Sequence, residues 1–315
     1  MSSLAERIAI PKRQPSQQPG DTRVARRARA RLWDRIMTGV LWGIAGLLTL
    51  VLAYFILFTL YQGLGVLNWQ FLTGANTAGT LDGPEFFNTF YILALALLIA
   101  VPLGLSGAIY LVEYARQGIL TTILRFATET LAGVPSIVLG LFGFLVFVTA
   151  NGSGTRLGFS RLAGALTLVI LNLPLILRVS EDALRSVAPE LREASTALGA
   201  NKFQTIVRVM LPAALPALTT GIILTAGKML GETAALIYTT GGNSPATGWF
   251  SLNPLLPGDT LAVHIYFLKS EGVIANASQI ANGTAALLIL LLLIFNLGIR
   301  SLANVLIRRV SGRRA

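Results

Sequence analysis

The sequence predicts an all-α polytopic membrane protein with six transmembrane helices. Three observations predict it. Of 315 residues, 54% are hydrophobic and only 12% are charged, with a mean hydropathy of +0.68, whereas a soluble domain carries about 25% charged residues. Six apolar runs each approach the ~20 residues that cross the hydrocarbon core. Finally, Lys and Arg collect in alternate connections between those runs, the bias that orients helices in a bilayer.

Residues 1–35 are polar and then Arg-rich ("TRVARRARAR"), which reads as a basic, flexible tail. The apolar run after it is too long for the h-region of a signal peptide, and no small-residue cleavage site closes it. The transmembrane domain is expected over residues 36–308, with a short basic tail at 309–315. Its spans are Ile36 to Leu60, Phe87 to Tyr110, Phe126 to Val148, Ala163 to Val179, Ala213 to Tyr238 and Thr284 to Ile307. Helices are the expected form, because lipid offers backbone groups no partner and the runs lack strand-like alternation. Pro102, Pro135 and Pro174 fall inside spans, where proline kinks a helix. Such kinks serve either gating or plain packing.

Charge sets the orientation. With the N-terminus inside, the inner segments hold nine Lys/Arg in residues 1–35, two in the second connection, five in the fourth (counting Arg178 at its edge) and five from Arg300 onward. The outer connections hold none, two and one, and Lys228 is the remaining cation. Both termini are therefore expected in the cytoplasm. The outer connection before the sixth span is Gly/Asn/Pro-rich, with Trp249, Phe250, Tyr266 and Phe267 as candidate headgroup anchors. The net charge of +11 is explained by these ends, and no stacking motif or basic soluble fold supports nucleic-acid binding. Without cysteine there is neither a disulfide framework nor a thiolate metal site, and the single histidine, His264, excludes a His-rich one.

The connection over 181–212 is a structured elbow rather than a linker. Pro189 suits a first helical turn, and acids follow it where the helix dipole favours them. Gly199 ends or bends that helix. Phe203, Ile206, Val207 and Met210 then resume a helical spacing that leads into the fifth span at Pro212. Small side chains at Ala194, Ser195, Ala197 and Gly199 suit a helix that seats in another protein's groove, with Glu193, Arg192 and Lys202 free to pair at its rim.

Glu193-Ala194-Ser195, Gly199 after three intervening residues and Val209-x-Leu211-Pro212 after nine more resemble the EAA loop of ABC-importer permeases, with Ser195 in place of Ala and Val209 in place of Ile. The resemblance implies a MetI-like permease core. It also implies that Glu193, Ala194, Ser195, Ala197, Gly199, Leu211 and Pro212 couple the chain to a cytoplasmic ATPase. "FNTFYILALALLIAVPLGLSGAIYLVEYA", "LAGVPSIVLGLFGFLVFV", "NLPLILR" and "GETAALIYTTGG" further resemble the PstA-type subunit of bacterial phosphate importers over residues 85–305. That likeness implies a place in the bacterial inner membrane. The implied partners are a homologous PstC-like permease, a PstB-like ATPase dimer and an external PstS-like phosphate-binding protein. A permease for another oxyanion or small solute, or a stand-alone secondary transporter, are the competing readings. A docking elbow argues against the last.

Lys228 and Glu232 are the anomaly. A charge at the bilayer centre costs roughly 2.5–3.5 kcal/mol on insertion scales. Four residues apart on an expected helix, they share a face, although Lys before Glu is the less favourable order for an intrahelical pair. Gly227 and Gly231 give a GxxxG-type spacing for close helix approach. Resemblance to phosphate permeases makes Lys228 and Glu232 translocation-pathway residues, with Lys where the family carries Arg; a lock between helices is the alternative. Arg178 is a second pathway candidate or else an ordinary inner-face anchor, and Glu129 is a partner for a cation or a helix cap. "GIILTAGK" is not a P-loop, since five residues separate its glycines and Met229 stands where Ser or Thr would bind magnesium. ATP and Mg are therefore expected on the partner ATPase, and no cofactor, metal site or enzymatic activity is expected of this chain.

Overall fold

The computed structural model describes residues 20–73, 83–116, 118–149, 157–241, 251–270 and 276–310. It divides into two compact units, Met1–Leu57 and Phe58–Ala315. The first consists of most of helix α1 (Gly20–Gly63), whose apolar part runs Arg31–Gly63 and contains the expected first span. The Ala/Arg-rich stretch from Gly20 is already helical, where a flexible tail to residue 35 was expected. Ala and Arg are among the strongest helix formers, and here composition outweighs charge. Residues 1–19 lie outside the described residues.

The second unit is built of helices joined by turns and loops, with no strand among the described residues. It comprises α2 (Trp69–Thr73), α3 (Gly83–Ile109), α4 (Ile119–Ala132), α5 (Ser136–Gly143), α6 (Arg161–Arg185), α7 (Pro189–Ala197), α8 (Lys202–Thr205), α9 (Leu211–Leu230), α10 (Leu261–Ser270) and α11 (Ala277–Val310). Single π-helical turns extend α3 (Tyr110–Tyr114) and α5 (Phe144–Val148), and a third (Ile206–Met210) fuses α8 to α9. Among the described residues, five helices are long and apolar enough to cross a membrane: Arg31–Gly63, Pro84–Tyr114, Arg161–Arg185, Lys202–Leu230 and Ala277–Gly298.

The sixth span is reached only by joining α4 to α5, which meet at 101°. The third span, expected over Phe126 to Val148 with a kink at Pro135, is thus a sharply bent pair that begins earlier, at Ile119. Gly133 closes α4, its N–H bonded to Glu129 O and Thr130 O, and Pro135 supplies no N–H to continue the ladder. The fifth span is corrected as well. It is helical only to Leu230, after which Gly231–Thr240 is non-helical and mostly turn. Glu232 Oε1 accepts the Ala235 N–H at 3.5 Å and Thr233 O accepts from Leu236 and Ile237 at 3.0 Å, so local bonds replace the helical ones.

Small residues set the packing. Ala96, Ala100 and Ala108 of α3 are fully buried, and a Cβ on Gly104 would lie 2.6 Å from Ile176 Cγ2 of α6. A Cβ on Gly221 of α9 would lie 1.7 Å from Val179 Cγ1. These approaches are the small-residue contacts that let membrane helices gain dispersion energy. Of the GxxxG pair, only Gly227 meets another helix, at Asn296 of α11. Gly231 lies beyond close reach of one.

At the end remote from α7 sits a buried polar group that sequence reading passed over. Arg161 (2% exposed) donates to Ser251 O and faces the stacked rings of Phe87 and Tyr91 at 5.8 and 5.7 Å. Nearby, Glu85, Asp259 and His264 bring ligand-type atoms within 4.8 Å of one another, and His264 Nδ1 lies 3.2 Å from Asp259 Oδ2. Of the expected headgroup anchors, Tyr266 is exposed on α10 and Phe267 is half-buried; Trp249 and Phe250 lie outside the described residues.

Gly140 of α5 holds the two irregular stretches together, since its absent Cβ would sit 2.8 Å from Ala235 Cα and 3.0 Å from Ala234 O. Backbone cannot rotate away. Gly140→Ala is therefore expected to destabilise the protein by about 1–3 kcal/mol, read as a lower thermal unfolding midpoint in detergent.

Candidate functional site

Two features compete for the functional role, an elbow and a cavity, and α6 connects them. The elbow begins where α6 ends. Pro189 starts α7, Gly199 (φ +81°) reverses the chain, and Asn201 caps α8. Asn201 Oδ1 accepts the Gln204 N–H at 2.9 Å while Gln204 Oε1 accepts the Asn201 N–H at 3.0 Å, a reciprocal capping box. The second arm is the continuous rod Lys202–Leu230, so displacement of the elbow is displacement of the fifth span. Leu211 donates to Ile206 O, and this wider π register precedes Pro212, which has no N–H to give.

Glu193, Ala194, Ala197, Gly199 and Pro212 are exposed, Leu211 is half-buried, and Leu198 stands 89% exposed at the apex. Ser195 differs. It is buried, with its hydroxyl 2.9 Å from that of Thr205, so it staples the two arms instead of lining the outer face. Arg192 and Lys202, expected to pair at a rim, both reach Glu113, and Lys202 stays exposed as it does so. Arg192 pairs with Glu113 at 2.9 Å, and Lys202 Nζ donates to Glu113 O.

The cavity, of about 600 Å³, is lined by α4, the 133–136 bend, α6 and the end of α9. It follows α6 from Leu171 to Arg185, a rise of roughly 21 Å at 1.5 Å per residue. The three pathway candidates Arg178, Lys228 and Glu232 all line it, and so does Glu129. Lys228 and Glu232 do not share a helix face as expected, since α9 stops at Leu230, and no ion pair joins them among the described residues. The turn after Gly231 instead brings Glu232 back to the same wall. Sequence reading did not place Arg125, Glu181, Asp182 and Arg185 here. Glu181 Oε1 accepts from Arg125 at 2.8 Å and from Arg185 at 2.6 Å. The Glu181–Arg185 pair carries the i,i+4 signal of a helix, whereas Arg125 comes from a different helix. Arg178 and Lys228 make no side-chain hydrogen bond or ion pair among the described residues.

The comparisons with known proteins decide what these features belong to. Residues 100–312 match the model of the binding-protein-dependent transport system inner membrane component family. The chain belongs to that family. It is 36% identical over 293 residues to the probable ABC transporter permease protein YqgI of Bacillus subtilis, covering 89% of this chain and 98% of that protein. It is 42% identical over 179 residues to phosphate transport system permease protein PstA 1 of Mycobacterium tuberculosis, covering 56% of this chain and 54% of that one. Among solved structures, a chain of a bacterial alginate ABC transporter superposes with a TM-score of 0.65 at 16% identity, covering 90% and 96% of the two chains. A chain of the MetNI methionine ABC transporter gives 0.50 at 24%, covering 71% and 91%. These structures share the permease fold, and this family member is a multi-span membrane protein of ABC transporters.

The capping box yields a local test. Asn201→Ala removes an N-cap worth about 0.5–2 kcal/mol, so amide exchange over 201–205 should quicken while the global unfolding midpoint barely moves.

Proposed function

We propose that this chain is a permease subunit of an ATP-driven importer for inorganic phosphate. It forms half of the translocation path, and a homologous permease supplies the other half. ATP and Mg are bound by a dimeric ATPase that docks on the exposed outer face of the elbow, including Glu193, Ala194, Ala197 and Gly199, with phosphate delivered from the opposite side by a binding protein. Both termini and the elbow face the cytoplasm of a bacterial cell, in keeping with the distribution of Lys and Arg. Phosphate as the substrate is supported by the similarity to proteins named phosphate transport permeases.

The observation that carries the reading is the cavity. Arg178 and Lys228 reach it from different helices without a neutralising partner among the described residues, and oxyanions are bound by such cations. Its lining holds four cations (Arg125, Arg178, Arg185, Lys228) and four acids (Glu129, Glu181, Asp182, Glu232). A balanced wall does not trap an anion, and a transport path needs sites strong enough to enter and weak enough to leave. Lys228 presents a compact point charge in place of a bidentate fork, consistent with brief contact during passage. A second reading, import of a different oxyanion, is favoured by the same feature, because two separated cations suit any tetrahedral anion.

Uptake of radiolabelled phosphate tests both. Deletion of the chain should abolish growth on limiting phosphate. Lys228→Gln should lower uptake about tenfold, equivalent to ~1.4 kcal/mol, with the complex still assembled, and Lys228→Arg should recover most of it. Normal uptake in both Lys228→Gln and Glu232→Gln would remove these residues from the path, and loss of assembly would make them a packing lock.

A further inference from the structure

The elbow is tied to the ends of two spans by its own cations. Helices leave their last carbonyls without partners and carry partial negative charge there. α6 ends at Arg185, and Arg192 of the first arm donates through Nη2 to Leu184 O at 3.0 Å. The π turn that finishes α3 ends at Tyr114, and Lys202 of the second arm donates to Glu113 O while lying 4.8 Å from the centre of the Tyr114 ring. Each arm therefore caps one span. The Glu113 carboxylate joins the two caps, with Oε1 2.9 Å from Arg192 Nη1. Its side chain is 12% exposed and that of Arg192 29%, so the pair is partly withdrawn from water and less screened than a surface pair. Removing one partner strands the other charge.

Beneath this knot lies a small apolar cluster that includes Ala108, Leu184, Ile206 and Met210. Apolar burial holds these segments together without fixing their direction. The two carbonyl contacts are directional, the ion pair adds attraction between its charges, and together they come from α3, α6 and both arms.

We infer that Glu113 is a positioning residue that locks the elbow to the ends of α3 and α6, so that force applied to the elbow moves the second and fourth spans together with the fifth. The inference rests on the proposed docking of an ATPase at the elbow. Without Glu113, the fifth span, which is covalently continuous with the elbow, would still be pulled, while α3 would lag.

The chain contains no cysteine, so spin labels can be placed singly. Labels at Tyr110→Cys, in the π turn that extends α3, and Glu190→Cys on α7, both exposed positions, report the tie in the whole assembled transporter in lipid. With native Glu113 the inter-label distance should stay the same between the nucleotide-free and the ATP–vanadate states. In Glu113→Gln it should broaden and become nucleotide-dependent, and solute uptake per ATP hydrolysed should fall several-fold while hydrolysis continues. Lys202→Gln, at an exposed position that leaves the apolar cluster intact, should show a smaller change in the same direction and serves if Glu113→Gln fails to assemble. A distance that moves with nucleotide in the native protein, or one equally fixed in both variants, overturns the inference. A further label pair, Glu190→Cys with Leu293→Cys on α11, separates the two ideas. If that distance ignores nucleotide, the elbow does not transmit the ATPase stroke and the docking reading fails, irrespective of the Glu113 tie.

Discussion

Backbone hydrogen bonding in a medium without water is the constraint on which this structure depends. In lipid, irregular backbone is tolerated only where protein or an internal cavity surrounds it. Among the described residues, two such stretches interrupt the spans, the bend at Gly133–Val134–Pro135 and the segment from Gly231 to Thr240. The second is covered by α5 at Gly140 and by α6 at Gly164, whose absent Cβ would fall 2.4 Å from Thr240 Cγ2. Its own threonines take up backbone carbonyls, Thr239 and Thr240 donating to Ala235 O and Leu236 O. With those bonds made inside the protein, the ends of broken helices can border an open space. The cavity walls include residues from both breaks, Val134 and Ser136 on one side and Glu232 on the other.

This constraint also explains which parts of the molecule were legible in the sequence. Long apolar runs must be helices, so α3, α6, α11 and the first part of the fifth span, α9, fall where hydropathy places them. The elbow was legible because its signals are local: a proline at a helix start, a glycine at positive φ and a periodic second arm. The breaks were harder. Pro135 announced a kink, but a proline fixes neither the angle nor the path of the next segment, and 101° follows from packing against α6 and residues 234–235. Gly-Glu-Thr after Leu230 is compatible with a helix until Glu232 turns back to cap Ala235, and that depends on the surrounding protein.

The candidate site shows the same division. Lys228, Glu232 and Arg178 stood out because charge is conspicuous in an apolar run. Arg125 and Glu181, 56 residues apart, meet only through tertiary structure. Arg161 looked like an ordinary connecting-loop cation, yet it is almost fully buried between two aromatic rings and a loop carbonyl. Its guanidinium face is weakly hydrated and suited to such stacking, a property that position along the chain does not reveal. Ser195 replaces an alanine of the family pattern, and the reason is visible only once Thr205 is seen beside it.

The right-angled α4–α5 pair has a consequence for how the protein enters its membrane. α4 has 14 residues, about 21 Å of helix at 1.5 Å per residue, and the core to be crossed is ~30 Å thick. Ser136–Val148 is no longer. Neither piece can traverse the bilayer as an independent rod, and the exposed peptide groups between them have no shelter until α6 and the stretch after α9 arrive. This hairpin is therefore a late-maturing part of the chain. Its packing partners, Thr167 and residues 234–235, lie later in the chain, so the pair is completed only once those segments are in place.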